Sequence, residues 1–328
     1  MQHRANAEGI NRSRAKIVAR ILVTGANGFI GRALCPALTA RDHSVVAGLR
    51  HAGKPPEGAE PIVLGEIGAG TDWPEKLREV ETVIHLAQRA HARSDPRALA
   101  AEAGAAAALA RALAASGGRR LVLVSSVKAM GEASSPGRPL RPDDQPRPED
   151  AYGRAKLASE RAAATAARET GIELVVIRPP LVYGPGVRAN FAMLMRLAAS
   201  GWPLPFAATD NRRSLIFRDN LVDLLAVAAT HQAAAGMTLL ARDDVDLSTP
   251  QLIRALAAGL GRKAWLFPLP NIVFTALRPL PGIGAKLARL TLSLQVDDSA
   301  TRRALQWTPL VSAATGLATT ARAFAAGL

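Results

Sequence analysis

The stretch ILVTGANGFIG, Ile21 to Gly31, limits what this chain can fold into more than any other. An apolar, partly β-branched run reads as a buried strand, and it ends abruptly at glycine. Gly25, Gly28 and Gly31 then recur at every third position. In the order strand, glycine loop, helix, this spacing builds a cradle for phosphate. The first glycine turns the chain sharply, the second lets a diphosphate approach the backbone, and the third lets the next helix lie close. A helix from about Ile30 to Ala40 would aim its N-terminal N–H groups at the anion. A loop that is glycine-rich for turning alone is the plainer reading. The strand before it, the helix after it and the βαβ pattern that follows favour the cradle.

That pattern continues along the chain. SVVAGL, EPIVLGEI and VETVIHLA read as strands, and an Ala-rich helix follows from about Pro96 to Ser116. RLVLVSS is a strand, SSPGRPLRPDDQPRPED a loop, Ala151 to Thr170 a helix, and IELVVIRPP a strand. Strands alternating with helices predict an α/β fold, a Rossmann-like, doubly wound parallel sheet covered on both faces. The dinucleotide-binding domain is expected over residues 20–180, with about 214–235 added to it. From Leu181 onward Pro and Gly are frequent and the elements shorten. Residues 181–213 and 236–328 are therefore expected to form a smaller C-terminal substrate lobe. Residues 1–19 read as a mobile basic extension.

At 328 residues and 48% hydrophobic, the chain can bury a large core or two unequal ones. No apolar run reaches membrane-spanning length, and MQHRANAEGINRSRAKIVAR lacks the apolar centre of a signal peptide, so a cytoplasmic protein with no transmembrane segment is expected. The single Cys35 excludes an intrachain disulfide and reads as a packing residue. The six His and one Cys show no metal-ligand spacing, so no metal is expected. The net charge of +14 raises the question of nucleic acid or a membrane surface. Part of it is local, with Arg4, Arg12, Arg14, Lys16 and Arg20 facing only Glu8 in the first 20 residues. With two Tyr and seven Phe there are few platforms for base stacking, so no nucleic-acid partner is expected. The basic segment FTALRPLPGIGAKLARLTL is interrupted by Pro and Gly. An anionic small molecule accounts for some of the charge.

TGANGFIG, LVSSVKAMG, YGRAK and RPPLVYGPG, in this order and spacing, resemble the extended short-chain dehydrogenase/reductases. These are the NAD(P)-dependent epimerases, dehydratases and reductases of nucleotide sugars, and the resemblance covers nearly the whole chain after residue 19. SSVKAMGE, RPPLVYGPGVRANF, NRRSLIF and SLQVDDS are similar to the subgroup related to UDP-glucose 4-epimerase, some of whose members reduce UDP-4-keto-6-deoxy sugars. The resemblance implies that Gly25, Asn27, Gly28, Phe29, Ile30 and Gly31 surround the cofactor diphosphate. It implies Arg50, Glu66 and Ile67 around the adenosine, and Leu86, Ala87 and Pro179 along the remainder of the cofactor.

It also implies a catalytic group of Ser126, Tyr152 and Lys156. Tyr152 and Lys156 stand four apart on a predicted helix and share a face. A phenol of ordinary pKa is a poor base at neutral pH, but a nearby ammonium favours the phenolate. Tyr152 would exchange a proton with a substrate hydroxyl as hydride moves at the same carbon. Lys156 would also hold the cofactor ribose. Ser126 would hydrogen-bond the reacting hydroxyl, with Ser125 the structural neighbour. A solvated helix face is the plainer reading of a lone Tyr and Lys; the glycine loop and the serine strand upstream outweigh it.

Departures from the family pattern narrow the reaction. The dehydratases' Asp-Glu pair is replaced by Val127 and Lys128, and the extra Cys and His of the 3,5-epimerases are missing. What remains is 4-epimerisation or 4-keto reduction. An acidic residue at the end of the second strand would bind NAD ribose hydroxyls, but that position is Leu49, followed by Arg50. Arg50 could pair with a 2′-phosphate, which leans the choice to NADP over NAD, while an Arg stacked on adenine in an NAD enzyme remains open. A family Asn aligns with Glu102, and a second one, a substrate contact in epimerases, aligns with Leu181. Lys128, Asn190 and Arg213 are the expected substrate residues, with Arg213 a clamp for a nucleotide diphosphate and Arg212 its surface alternative. The expectation is a reductase acting at C4 of a UDP-4-keto-(6-deoxy) sugar in polysaccharide precursor synthesis. UDP-sugar 4-epimerase is the first alternative and a non-catalytic NAD(P)-binding scaffold the second. A homodimer is expected through the Ala-rich helix and the Tyr152 helix.

Overall fold

A computed structural model describes residues 18–87, 96–135, 137–280, 282 and 284–327, with the side chains of 96–100, 189 and 190 excepted. The expected mobile extension falls almost entirely outside the described residues.

The glycine loop joins β1 (Arg20–Thr24) to α1 (Gly31–Thr39). Next come β2 (Ser44–Leu49), β3 (Ala59–Val63), β4 (Thr82–His85), α2 (Pro96–Ala115), β5 (Arg120–Val124), α3 (Ala151–Thr170) and β6 (Glu173–Arg178). After these come β7 (Leu181–Tyr183), α4 (Ala189–Ala199) and β8 (Leu215–Phe217), which pairs with β7 outside the main sheet although it falls in the 214–235 stretch expected in the dinucleotide-binding domain, then α5 (Arg218–Thr230) and β9 (Thr238–Leu240). The chain ends in α6 (Thr249–Gly259), α7 (Asn271–Leu277), α8 (Gly284–Thr291), α9 (Ser299–Leu305) and α10 (Ala313–Ala325).

The main sheet has seven strands in the order β3-β2-β1-β4-β5-β6-β9, and each neighbouring pair is parallel. Both faces are covered, which explains apolar runs without alternation. Ile21 and Val23 pack with Leu34 and Leu38 of α1 and Leu221 and Leu225 of α5. Leu22 faces the opposite way, in a core with Leu109 and Leu113 of α2 and Ala163 and Ala166 of α3. Strand order reverses where β1 lies between β2 and β4, and ligands of such sheets bind at the carboxyl ends beside that point.

Two boundaries differ from the sequence reading. β3 stops at Val63 instead of running to Ile67, and Gly65 with φ +68° turns the chain just beyond it. β9 lies past residue 235, on the expected substrate-lobe side, yet it is the seventh strand of the main sheet. A second, smaller core lies outside the sheet, where the Tyr183 and Phe191 rings stack at 5.3 Å and Phe206 and Phe274 at 5.5 Å. The chain enters this core after β6 and returns to the sheet's core in α5 and β9. It leaves again with α6, returns at Leu305 and Trp307, and leaves a last time with α10.

Candidate active site

A groove of about 240 Å³ and a cavity of about 550 Å³ lie at the carboxyl ends of the strands, and Leu86 belongs to the walls of both. The groove is shaped first by backbone. Gly25 sits at φ +70°, and a Cβ there would come 3.0 Å from the Ala87 amide nitrogen. The Gly28 N–H closes the turn by donating to the Gly25 carbonyl at 2.9 Å. A Cβ on Gly31 would stand 2.5 Å from the Gly25 oxygen, so Gly31 lets α1 begin hard against the loop. Ile30, the residue before α1, provides no side-chain cap, and the first turn holds no acid; the Arg32 and Ala33 N–H groups donate to the Gly28 and Ile30 carbonyls at 3.1 and 3.0 Å, so the helix start offers an anion its dipole. Thr24 ties the loop to β4, since its Oγ1 lies 2.9 Å from His85 Nδ1 and accepts from the Ala87 N–H at 3.1 Å. Burial, then the charge of Lys156, pushes the His85 imidazole down to about 4, so it is neutral at physiological pH.

Gly25, Asn27, Gly28, Arg50, Glu66, Ile67, Leu86 and Ala87 all border the groove. Phe29 and Gly31 do not line it: Gly31 is spent on packing, and the Phe29 ring lies 5.7 Å from the Arg218 guanidinium carbon. Ile30 and Pro179 line the cavity instead. A loop without side chains at Gly25 and Gly28, a helix start free of acids and apolar walls fit a dinucleotide.

α3 is delimited by features written in the sequence. The Asp150 carboxylate accepts from the Gly153 N–H at 2.7 Å at its start, and Gly171 ends it at φ +77°. Gly153, between Tyr152 and the turn of residues 127–129, has no room for a side chain, because a Cβ would be 2.3 Å from the Lys128 oxygen. That close approach brings the start of α3 onto the turn after β5, and Ser126 and Tyr152 line one cavity. Ser126 Oγ accepts from the Lys128 N–H at 3.2 Å, which leaves its hydrogen free to donate. Ser125 Oγ also borders the cavity, buried and with no hydrogen-bond partner among the described residues. Lys156 is buried behind the wall, its Nζ 5.5 Å from the centre of the Tyr152 ring and paired with the Glu102 carboxylate.

The rest of the cavity is charged. Lys128 Nζ pairs with Glu132 at 2.8 Å and Asp150 at 2.6 Å. Burial alone would raise the Asp150 carboxyl, but Lys128 and the Gly153 N–H together hold it below the usual carboxylate range. Arg213 donates from Nη1 to the Leu292 carbonyl at 2.9 Å. Burial, with Arg289 nearby, lowers its guanidinium to about 10. Lys286 and Arg289 also line the cavity, and both come from a stretch, 247–296, that contains no Asp or Glu. Arg212 points outward toward Asp210 at 3.9 Å, its side chain half exposed. The Asn190 side chain lies outside the described residues.

Sequence reasoning missed Lys286 and Arg289 in the cavity, and the carboxylates of Glu132 and Asp150 beside Lys128. The acid-free stretch was the available signal for the first two. No helix among the described residues is long and apolar enough to cross a membrane.

Comparison with known proteins accords with this arrangement. The model of the NAD dependent epimerase/dehydratase family matches residues 21–239. The chain is 39% identical over 317 residues to a UDP-glucose 4-epimerase of Vibrio cholerae, covering 94% of this chain and 96% of that one. It is 31% identical to a 3-diazoavenalumate denitrifying reductase of a Streptomyces species, over 88% and 96% of the two chains. A solved structure, MoeE5 in complex with UDP-glucuronic acid and NAD, superposes with a TM-score of 0.74 at 25% identity, covering 94% of this chain and all of the other.

Proposed function

Because the chain belongs to the NAD dependent epimerase/dehydratase family, we propose that it carries out oxidoreduction at C4 of a UDP-sugar, as a UDP-sugar 4-epimerase. The observation that carries this reading is a single cavity with a Ser and Tyr proton relay and the cations Arg213, Lys286 and Arg289. Gly25, Gly28 and Ala87 along the groove would hold a nicotinamide dinucleotide, which when bound would supply hydride acceptance and return. Tyr152 takes the proton of the C4 hydroxyl and gives it back, while Ser126 donates a hydrogen bond that holds that oxygen in place. The guanidinium groups of Arg213 and Arg289 are suited to a diphosphate. Leu181 stands where epimerases keep a substrate-binding Asn, so the sugar must be held by other groups, and Lys128, Glu132 and Asp150 are available. Kinship with a UDP-glucose 4-epimerase supports this reading over the reductase favoured by the sequence alone.

The reductase remains the second reading on one specific observation. Leu49 and Arg50 both border the groove at the end of β2, where a carboxylate would retain NAD by its ribose. A net reductase must release its oxidised cofactor, and Arg50 would suit NADP. Purified protein should interconvert UDP-glucose and UDP-galactose, or their N-acetyl counterparts, without added reductant. Stoichiometric oxidation of NADPH by a UDP-4-keto-6-deoxy sugar, with no interconversion, would establish the reductase instead. We expect a homodimer built through α2 and α3, which light scattering would show.

A further inference from the structure

Charge is shared unevenly between the parts of the chain that build the two cores. Residues 20–180 hold 22 Arg and Lys against 18 Asp and Glu, close to balance. Residues 181–217 and 247–296, which supply most of the smaller core, hold ten against one, Asp210. The same part of the chain exposes large apolar side chains. From Arg262 to Leu280 it lies over the smaller core as an outer layer, with Ala264, Leu266, Leu269 and Phe274 packed inward. Trp265, Phe267, Ile272, Leu277 and Leu280 are left exposed. The Leu204 N–H donates to the Trp265 carbonyl at 2.9 Å and the Phe267 N–H to the Leu204 carbonyl at 3.0 Å, which brings exposed Trp202, two residues before Leu204, to the same layer. Arg262 ties this corner down by donating from Nη1 to the Ala199 carbonyl at 2.7 Å.

We propose that this outer layer is a docking surface for an anionic lipid bilayer, on which the protein sits without crossing it. Tryptophan rings settle at the headgroup level, and Ile272, Leu277 and Leu280 are suited to the acyl boundary beneath. Arg262 and Lys263, both exposed, would meet lipid phosphates there, and no acid in residues 247–296 opposes them. Lys286 and Arg289 line the cavity and are not counted in this surface.

The other occupants fit less well. A second copy presenting the same face would set like charges against each other. A nucleic acid could stack on the aromatic rings but would leave the three aliphatic side chains without a partner. Docking of this kind is independent of the reaction in the cavity.

Of the four tryptophans, Trp202 and Trp265 are 73% and 65% exposed, whereas Trp73 and Trp307 are each 3% exposed. A blue shift of tryptophan emission on adding vesicles therefore reports the docking face. Vesicles of phosphatidylcholine with about 30% phosphatidylglycerol should bind the full chain and produce that shift. Pure phosphatidylcholine vesicles, or the anionic ones in about 0.5 M salt, should bind about tenfold more weakly. The double variant Trp202→Ser, Trp265→Ser should lose about 30-fold in affinity for the anionic vesicles, and the shift with it. If it does not fold, Ile272→Glu decides, with an expected loss of about tenfold while both tryptophans remain. No binding to anionic vesicles, or binding that the folded variants retain, would overturn the proposal. So would a dimer, seen by light scattering, that these variants abolish in a protein that binds no vesicles. A single-stranded oligonucleotide bound more tightly than the anionic vesicles, and lost with the same substitutions, would give the face to nucleic acid instead.

Discussion

Gly25, Gly28 and Ala87 shape the groove through backbone, whereas the cavity takes its character from side chains brought in by the β5 turn, α3, β8 and α8. A site made of backbone depends on where side chains are missing, and it tolerates little change. A site made of side chains can change its ligand by exchanging one residue while the sheet stays intact. Of the positions where the sequence departs from the family pattern, Val127, Lys128 and Leu181 line the cavity, while Leu49 and Glu102 line the groove.

Tyr152→Phe should sharpen this contrast most. Turnover should fall about 10³-fold, while cofactor affinity, measured by fluorescence quenching, stays within about threefold. Surviving turnover would move the proton relay elsewhere. Gly31→Val attacks the groove: its new side chain would start 2.5 Å from the Gly25 oxygen. Cofactor affinity should drop about 100-fold and stability by about 2 kcal/mol, with UDP affinity by calorimetry nearly unchanged. Equal loss of both ligands would show that groove and cavity are not separable. Arg213→Ala should do the opposite, raising KM for a UDP-sugar about 30-fold with cofactor affinity unaltered, and Arg213→Lys should recover only part. Arg50→Ala should have the smallest effect, a loss of about fivefold in NADP affinity and none in NAD affinity. Equal effects on both cofactors would assign Arg50 to the adenine.

The glycine loop of the groove was legible because its determinants are consecutive in the chain. A strand that ends in glycines at fixed spacing, and a helix opened by Asp150 and closed by Gly171, declare themselves locally. Tyr152 and Lys156 were legible for the same reason, being one helical turn apart. The strand at Thr238–Leu240 was not: three residues in a Gly- and Ala-rich segment carry too little pattern, and only the exposed edge of β6 recruits them. The pairing of Glu102 with Lys156 joins two helices 54 positions apart, and no local rule foretells it. The choice of Arg213 over Arg212 came from the family resemblance and not from any local pattern. Which of the two faces inward is set by the extended backbone there, with Arg213 bridged to both Leu247 and Leu294.

The repeated passage of the chain between its two cores has a consequence for how the molecule comes apart. Neither core is a continuous stretch of sequence, so no single cut by a protease would release either as an independent piece. Tyr183 of the smaller core is fastened to Asp243 at 2.6 Å, just past the last strand of the larger one, and Trp307 of the larger core is fastened to Asp223 of α5 at 2.7 Å. Heat or denaturant should therefore melt both halves in one cooperative transition. A truncated half expressed alone would lack strands and helices that its own core needs.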